Sequence, residues 1–417
     1  MLASPSAVLS CPDECSTVAI PSESSPKLAF PDIDFWEFAV EGGGVVARPD
    51  FKGLFLVNPT ALEIWRNLRA GATAEATATR LSSTFGIPVD IALRDVKCSI
   101  QTWQEVIFAA RLSPGPVSLP ERIPLPEDEI AFDCSLRGTS FRILLSSSDL
   151  AGEIIPRLES LQDRSLASPD VTLRLVHSND QIFVSRVWGV GHEEFLSVQD
   201  HPTYARIVLL NEIARLAGPR QHFLALLHAG ACGSDSKCLI FPAATHSGKS
   251  TLAAVLMASG LTMYADDSVA LHPDNLTVAP MPFALMIREG SWPVVSAHFP
   301  MLRNLPTHHR YGETVKFLPP ANPAPNTHAQ ACAVIFSRWE ANAVSRTQRL
   351  TTFDALLRLQ ESGFWVAHTR PSIQKFLDWL ARLPVFDLVY SDVDDAVAFI
   401  TDLLQKEGRA GAEHLPS

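Results

Sequence analysis

Leu239-Ile240-Phe241-Pro242-Ala243-Ala244-Thr245-His246-Ser247-Gly248-Lys249-Ser250-Thr251-Leu252 decides how the rest of this chain is read. A short apolar run ends at a proline and passes through a small-residue loop into Gly-Lys-Ser-Thr. The helical run Leu252 to Ser259 follows, and then Gly260. Strand, loop and helix in that order let successive backbone N–H groups and a helix N-terminus surround phosphate oxygens. Lys249 can then reach terminal phosphates, and the Ser250 hydroxyl can join the coordination of Mg²⁺. Ala243, Ala244, Thr245, His246, Ser247, Gly248, Lys249, Ser250 and Thr251 are therefore the candidate cradle for ATP with Mg²⁺. Two positions depart from the usual pattern. Ala243 stands where the opening glycine would be, and His246 occupies a turn position at which histidine tolerates a left-handed backbone better than most residues. The plain alternative is a fortuitous Gly-Lys-Ser-Thr helix start.

Working outward, Leu261-Thr262-Met263-Tyr264-Ala265-Asp266-Asp267 reads as a strand ending in two carboxylates. Strand ends are where α/β sheets usually bind ligands. One carboxylate can hold a metal, and the other can accept the proton of an attacking hydroxyl. Adjacent like charges are expected to raise one of the two pKa values, which suits a base. Alone, such a pair is more often a turn; beside a phosphate loop it reads as a site. Upstream, Phe223-Leu224-Ala225-Leu226-Leu227-His228-Ala229-Gly230 sets a lone histidine after an apolar strand.

This combination resembles the HPr serine kinase/phosphorylase family, whose core is similar to phosphoenolpyruvate carboxykinase. His228 lies 21 residues before Lys249 and Asp267 lies 18 after it, spacings similar to the family's. Over residues 130 to 404 the resemblance implies an α/β P-loop kinase domain with a mixed sheet. It implies a catalytic set of His228, Lys249, Asp267 and Asp266, with His228 on phosphate or the base and Asp267 as proton acceptor. Ile287-Arg288-Glu289-Gly290 is the nearest text to the family's metal-binding Glu and following Ile-Arg-Gly. That makes Arg288 a nucleotide candidate and Ser250, Asp266 and Glu289 the metal candidates, with a surface turn as the alternative for Arg288 and Glu289. The wider text looks most like kinase relatives encoded with peptide-modification systems. Arg303, Arg310, Lys316 and the His308-His309 pair form a basic, loop-rich patch that could receive phosphate or an acidic peptide end, or simply be a solvated loop.

The N-terminal part reads separately. Val45-Val46-Ala47 and Gly53-Leu54-Phe55-Leu56-Val57 are expected strands. Asn58 can cap the next helix, Pro59 suits its first position, and Thr60 with Glu63 has capping-box spacing. Further helices are expected at Ala74–Phe85, closed by Gly86, and from Asp90, with Leu93, Val96, Ile100, Trp103 and Ile107 on one face. Strands followed by three short helices make a winged-helix-like module. DNA binding is the minority reading, because Arg94 and Lys97 on the third helix are balanced by Asp90, Asp95 and Glu105. The run Gly53 to Trp65, with Gly71 and Asp95-Val96, resembles the PqqD-type peptide chaperones. The resemblance implies that a precursor (leader) peptide adds as a strand to the sheet edge and lies against the third helix. The alternative is that Leu54, Leu56, Trp65 and Val96 are core.

Composition bounds these readings. The 417 residues are 47% apolar and only 19% charged, with a net charge of −11. That balance argues against a general binder of nucleic acid or anionic membrane. No apolar run is long enough to span a bilayer, and Met1 to Ile20 lacks the basic start of a secretory signal. Seven scattered cysteines fit a reducing compartment, so the expected location is cytoplasmic. Cys11 and Cys15 have half-site spacing with no second pair nearby and read as free thiols. Ser- and Pro-rich residues 1–30 read as a flexible leader and 113–129 as an extended linker. The peptide-recognition module then occupies 31–112, the kinase-like domain 130–404, and a fraying tail 405–417. The leading functional expectation is a peptide kinase; the alternatives are a nucleotide-gated peptide chaperone and a DNA-binding regulator. Homo-oligomerisation is left open.

Overall fold

A computed structural model describes residues 8–9, 34–108, 128–188, 192–217, 222–234, 236–242, 247–310, 312–324 and 328–410. Ala243, Ala244, Thr245, His246, the cysteines Cys11 and Cys15, and the linker core lie outside the described residues. The architecture is mixed α/β with several mixed sheets.

In the N-terminal part, strands Trp36–Val40, Gly43–Arg48 and Phe51–Val57 form an antiparallel sheet. Both inner strands are buried almost throughout, and the period-2 rule explains how. Val46, Phe55 and Val57 face the module's own helices, where Trp65 and Trp103 meet edge to face at 5.1 Å. Val45, Ala47, Leu54 and Leu56 face the other way and join the core of the large block. The sheet is therefore an interface on one side and a core on the other. Val8–Leu9 pairs in parallel with Leu56–Val57, so the chain itself borders that sheet edge.

Helix Pro59–Arg69 is capped by the Asn58 side chain, which accepts from the Ala61 N–H at 2.8 Å. The Thr60–Glu63 capping box does not form, because the cap lies two residues earlier and Glu63 accepts from Asn67 instead. Helix Ala74–Phe85 ends at a left-handed Gly86, and the third helix, Val89–Trp103, starts one residue before Asp90.

The large block holds two main sheets. Strands Ile130–Leu136, Thr139–Leu145, Val171–Ser178, Gln181–Trp188 and His192–Gln199 lie side by side in chain order. Helices Ser148–Leu158 and Pro202–Leu216 accompany them and share their core cluster. In the ten-stranded sheet, strand Lys237–Pro242 runs antiparallel to Ala229–Ser234 and parallel to Ala329–Trp339. Strand Val385–Tyr390 extends it in parallel on the far side of Ala329–Trp339. Helix Lys249–Ala258 packs in a second core cluster with helix Val393–Ala410. That last helix runs past Gln405, where fraying was expected: Leu403 and Leu404 are buried, and Lys406 pairs with Asp402 at 2.6 Å.

Helix Thr352–Ser362 joins the two parts. At its start, Phe353 donates its N–H to the Glu41 carbonyl at 3.0 Å, and its ring fills the space beside Gly43. A Cβ on Gly43 would lie 2.5 Å from that ring and 2.7 Å from the Val57 carbonyl oxygen, so only glycine fits. Nearby, the His368 ring bonds the Arg48 carbonyl at 2.7 Å and lies 5.5 Å from the Trp36 ring.

Candidate functional site

Strand Lys237–Pro242 delivers the chain to the loop, and helix Lys249–Ala258 receives it. Gly248 stands at the helix N-cap with φ +90°, a conformation that costs a side-chain-bearing residue. A Cβ there would meet Tyr390 Oη at 3.2 Å and Trp339 Cβ at 3.4 Å, so the backbone also needs the room. Lys249 is the first helical residue. Its Nζ is buried and has no hydrogen-bond partner among the described residues. The Asp267 carboxylate stands 3.7 Å away. A buried ammonium in that state is costly, and an anionic ligand would offset the cost.

The twin acids diverge. Asp266, almost fully buried, accepts from the Ser250 hydroxyl at 3.2 Å and from Arg157 at 3.4 Å. Asp267 adopts φ +86°, an unfavourable backbone for a non-glycine residue, and its carboxylate faces the cleft. Arg157 Nη2 donates to its Oδ2 at 2.8 Å, and Arg206 Nη2 lies 3.7 Å from the same oxygen. His228 Nδ1 stands 3.5 Å from the other oxygen, Oδ1, which Lys249 also faces. His228 sits between strands Ala225–Leu227 and Ala229–Ser234, and its N–H is tied to the Gly363 carbonyl at 2.9 Å. Gly363 follows directly on helix Thr352–Ser362.

Four residues outside the predicted site set, Arg157, Arg206, Glu153 and Arg310, complete the cluster. Arg157, from helix Ser148–Leu158, is 1% exposed and also donates to the Ala284 carbonyl. Arg206, from helix Pro202–Leu216, binds Glu153 at 2.7 Å, and Arg310 binds the same Glu153 oxygen. The only sequence signal was a guanidinium inside an apolar helical run, as in Ile154-Ile155-Pro156-Arg157-Leu158. The cluster sets four cations (Arg157, Arg206, Lys249, Arg310) against three carboxylates (Asp266, Asp267, Glu153). With His228 neutral, the balance favours an anion.

Those charges set the direction of the shift at Asp267. Burial alone would push the Asp267 carboxyl up, but Arg157, Lys249, His228 and Arg206 hold it well below the usual carboxylate range. At Asp267 the effect of the neighbouring acid is outweighed. Burial and the Lys249 charge push the His228 imidazole down, against the pull of Asp267 and Asp266. Burial and Arg157 lower the Arg206 guanidinium to about 10, which leaves it charged at neutral pH.

These groups line a cleft of about 1300 Å³ that includes Ser247, Gly248, Lys249, Ser250, Thr251 and Arg288. Arg288 is paired with Glu313 at 2.9 Å. Glu289 is exposed and does not line the cleft, so the expected metal set loses that member. Among the described residues no group of three or more His, Cys, Asp or Glu side chains is placed to hold a metal ion. Ser250 and Asp266 remain together, which suits Mg²⁺, a cation that usually completes its shell with phosphate and water. The expected basic loop is instead two strands, His308–Arg310 and Glu313–Leu318. Lys316 is buried there, donating to the Leu302 and Arg303 carbonyls, and within that patch only Arg310 lines the cleft.

Comparison with protein-family models and with curated proteins gives no match for this chain. No helix of the described residues is long and apolar enough to cross a membrane.

Proposed function

We propose that this chain is an ATP- and Mg²⁺-dependent kinase of the HPr-kinase-like P-loop type, acting on a serine or other hydroxyl of a ribosomally made peptide. The winged-helix-like, PqqD-like module of residues 31–112 recruits that peptide. The observation that carries the reading is the convergence of Lys249 Nζ and His228 Nδ1 on Asp267 Oδ1, at 3.7 and 3.5 Å, at the N-terminus of a helix that follows a strand and a loop.

Lys249 and the first helical N–H groups hold the phosphates, with the surplus positive charge of the cluster favouring their entry. Bound Mg²⁺, held from this side by Ser250 and Asp266, supplies charge neutralisation at the terminal phosphates. Asp267 accepts the hydrogen bond of the acceptor hydroxyl and then its proton. Phosphoryl transfer depends mainly on positioning and electrostatics, so a weakly basic carboxylate suffices. Neutral His228 fixes the orientation of Asp267. Phosphate entering beside Lys249 draws that cation away electrostatically and makes Asp267 a stronger base.

One observation favours a second reading. Asp267 faces two guanidiniums, an arrangement typical of a structural ion pair, and this suits a nucleotide-gated peptide chaperone that transfers nothing. Incubation of the full chain with γ-labelled ATP, Mg²⁺ and the short peptides encoded beside its gene separates the two. Under the kinase reading a peptide is labelled, and Asp267→Asn removes the label while ATP affinity changes little. Nucleotide binding with no labelled peptide supports the chaperone, and absence of nucleotide binding overturns both.

A further inference from the structure

Strand Ala329–Trp339 ends against the phosphate-loop helix start. The Trp339 backbone N–H donates to the Ser247 carbonyl at 3.2 Å, and its indole N–H donates to the Ser391 carbonyl at 3.0 Å. Its Cβ is 3.4 Å from where a Cβ on Gly248 would stand. The side chain is thus fixed at both ends next to the residues proposed to hold phosphate. It is nevertheless 53% exposed and belongs to none of the hydrophobic core clusters. An indole held in place yet left out of the core is a flat apolar surface offered to the cleft. Asn342, Ser391 and Asp392 border the cleft beside it and carry the donors and acceptors that can read the edge of a heterocycle. Tyr204, the other strongly exposed aromatic of the cleft, sits on the Arg206 helix.

We infer that Trp339 is the stacking platform for the base of a purine nucleotide whose phosphates lie at Ser247–Thr251. The inference rests on the nucleotide reading above and adds where the base goes. No covalent step is involved. Stacking on Trp339 makes the nucleoside part contribute to affinity independently of the phosphates.

Calorimetric titration of the full chain with Mg·ATP and, separately, Mg·tripolyphosphate tests it. In Trp339→Ala, ATP binding is expected to weaken about tenfold while tripolyphosphate binding is unchanged. Trp339→Phe keeps a ring, so it should bind ATP nearly as wild type does. That variant should also lose the part of the tryptophan quenching that ATP causes in the wild-type protein. ATP binding as tight in Trp339→Ala as in wild type, or quenching that persists in full in Trp339→Phe, overturns the assignment of the base while leaving the phosphate site standing. If the wild-type chain binds neither compound, the nucleotide reading falls and this inference falls with it.

Discussion

His228 and Asp267, 39 residues apart in the chain, stand 3.5 Å apart through Nδ1 and Oδ1, and both titrate below their ordinary ranges. The histidine is driven down by burial, the aspartate by the cations around it. At neutral pH the pair is therefore an uncharged imidazole beside a carboxylate, and two acid-side losses of stability follow. The unfolded chain takes up the His228 proton first as pH falls past 6.5, so folding weakens from there downward. Asp267 stabilises the fold above pH 3.8, and that contribution is lost as pH drops toward its depressed folded value. Thermal melts of wild type and His228→Asn at pH 8 and pH 5.5 check the first part. The wild type should lose more Tm on acidification than the variant does. Equal losses would remove His228 from the account, because His308 and His328, also pushed down, are common to both proteins.

Lys249→Met should separate binding from folding. The side chain keeps its apolar stem and loses an ammonium that has no hydrogen-bond partner among the described residues. Nucleotide affinity is expected to fall by about 10- to 100-fold, the worth of a charge-assisted contact. The melting temperature should stay within a few degrees of wild type. A variant that binds ATP as tightly as wild type would show that the phosphates sit elsewhere.

Arg157→Leu should be the most damaging single change in the cluster. It leaves the Asp266 and Asp267 carboxylates without their shared guanidinium in a largely buried place. Removing one partner of a buried ion pair costs about 3–5 kcal/mol. Urea unfolding should show a lower midpoint. A midpoint within error of wild type would mean that the buried arrangement is not the one described.

Gly43→Ala tests the seat of the N-terminal module. The new methyl would press on the Phe353 ring and the Val57 carbonyl, and overpacking of this kind costs about 1–3 kcal/mol. Limited proteolysis should cut the variant faster than wild type, as the docked face loosens. Identical digestion patterns would show that the interface tolerates the change.

Much of the local structure was legible because its causes are local. The Asn58 cap, the helix Ala74–Phe85 with Gly86 behind it, and the strand before and helix after the Lys249 turn all follow from neighbours within a few residues. The meeting of His228, Lys249 and Asp267 was expected only through the family resemblance, since no local rule brings them together. Arg157 and Arg206 were not, since they arrive on two helices about 110 and 60 residues away and nothing in their immediate text marks the meeting point. For the same reason the lowering at Asp267 is not legible: the adjacent acid is visible in the sequence, while the cations that outweigh it come mostly from elsewhere. Glu289 stands exposed outside the cleft lining, because a one-dimensional likeness to a motif does not fix which way a short turn points. The burial of both sheet faces in the N-terminal module was hidden as well, because alternation shows two apolar faces without showing what covers the second.

Helix Thr352–Ser362 has 11 residues and so spans about 16 Å, with the Glu41–Gly43 hairpin at one end and the Gly363–His228 contact at the other. Under the proposed function, a peptide carried by the N-terminal module would thus reach the cleft from one fixed bearing. Lengthening the segment that tethers the two halves should leave that approach unchanged, whereas tilting the hairpin on its seat would redirect delivery and nudge the imidazole together.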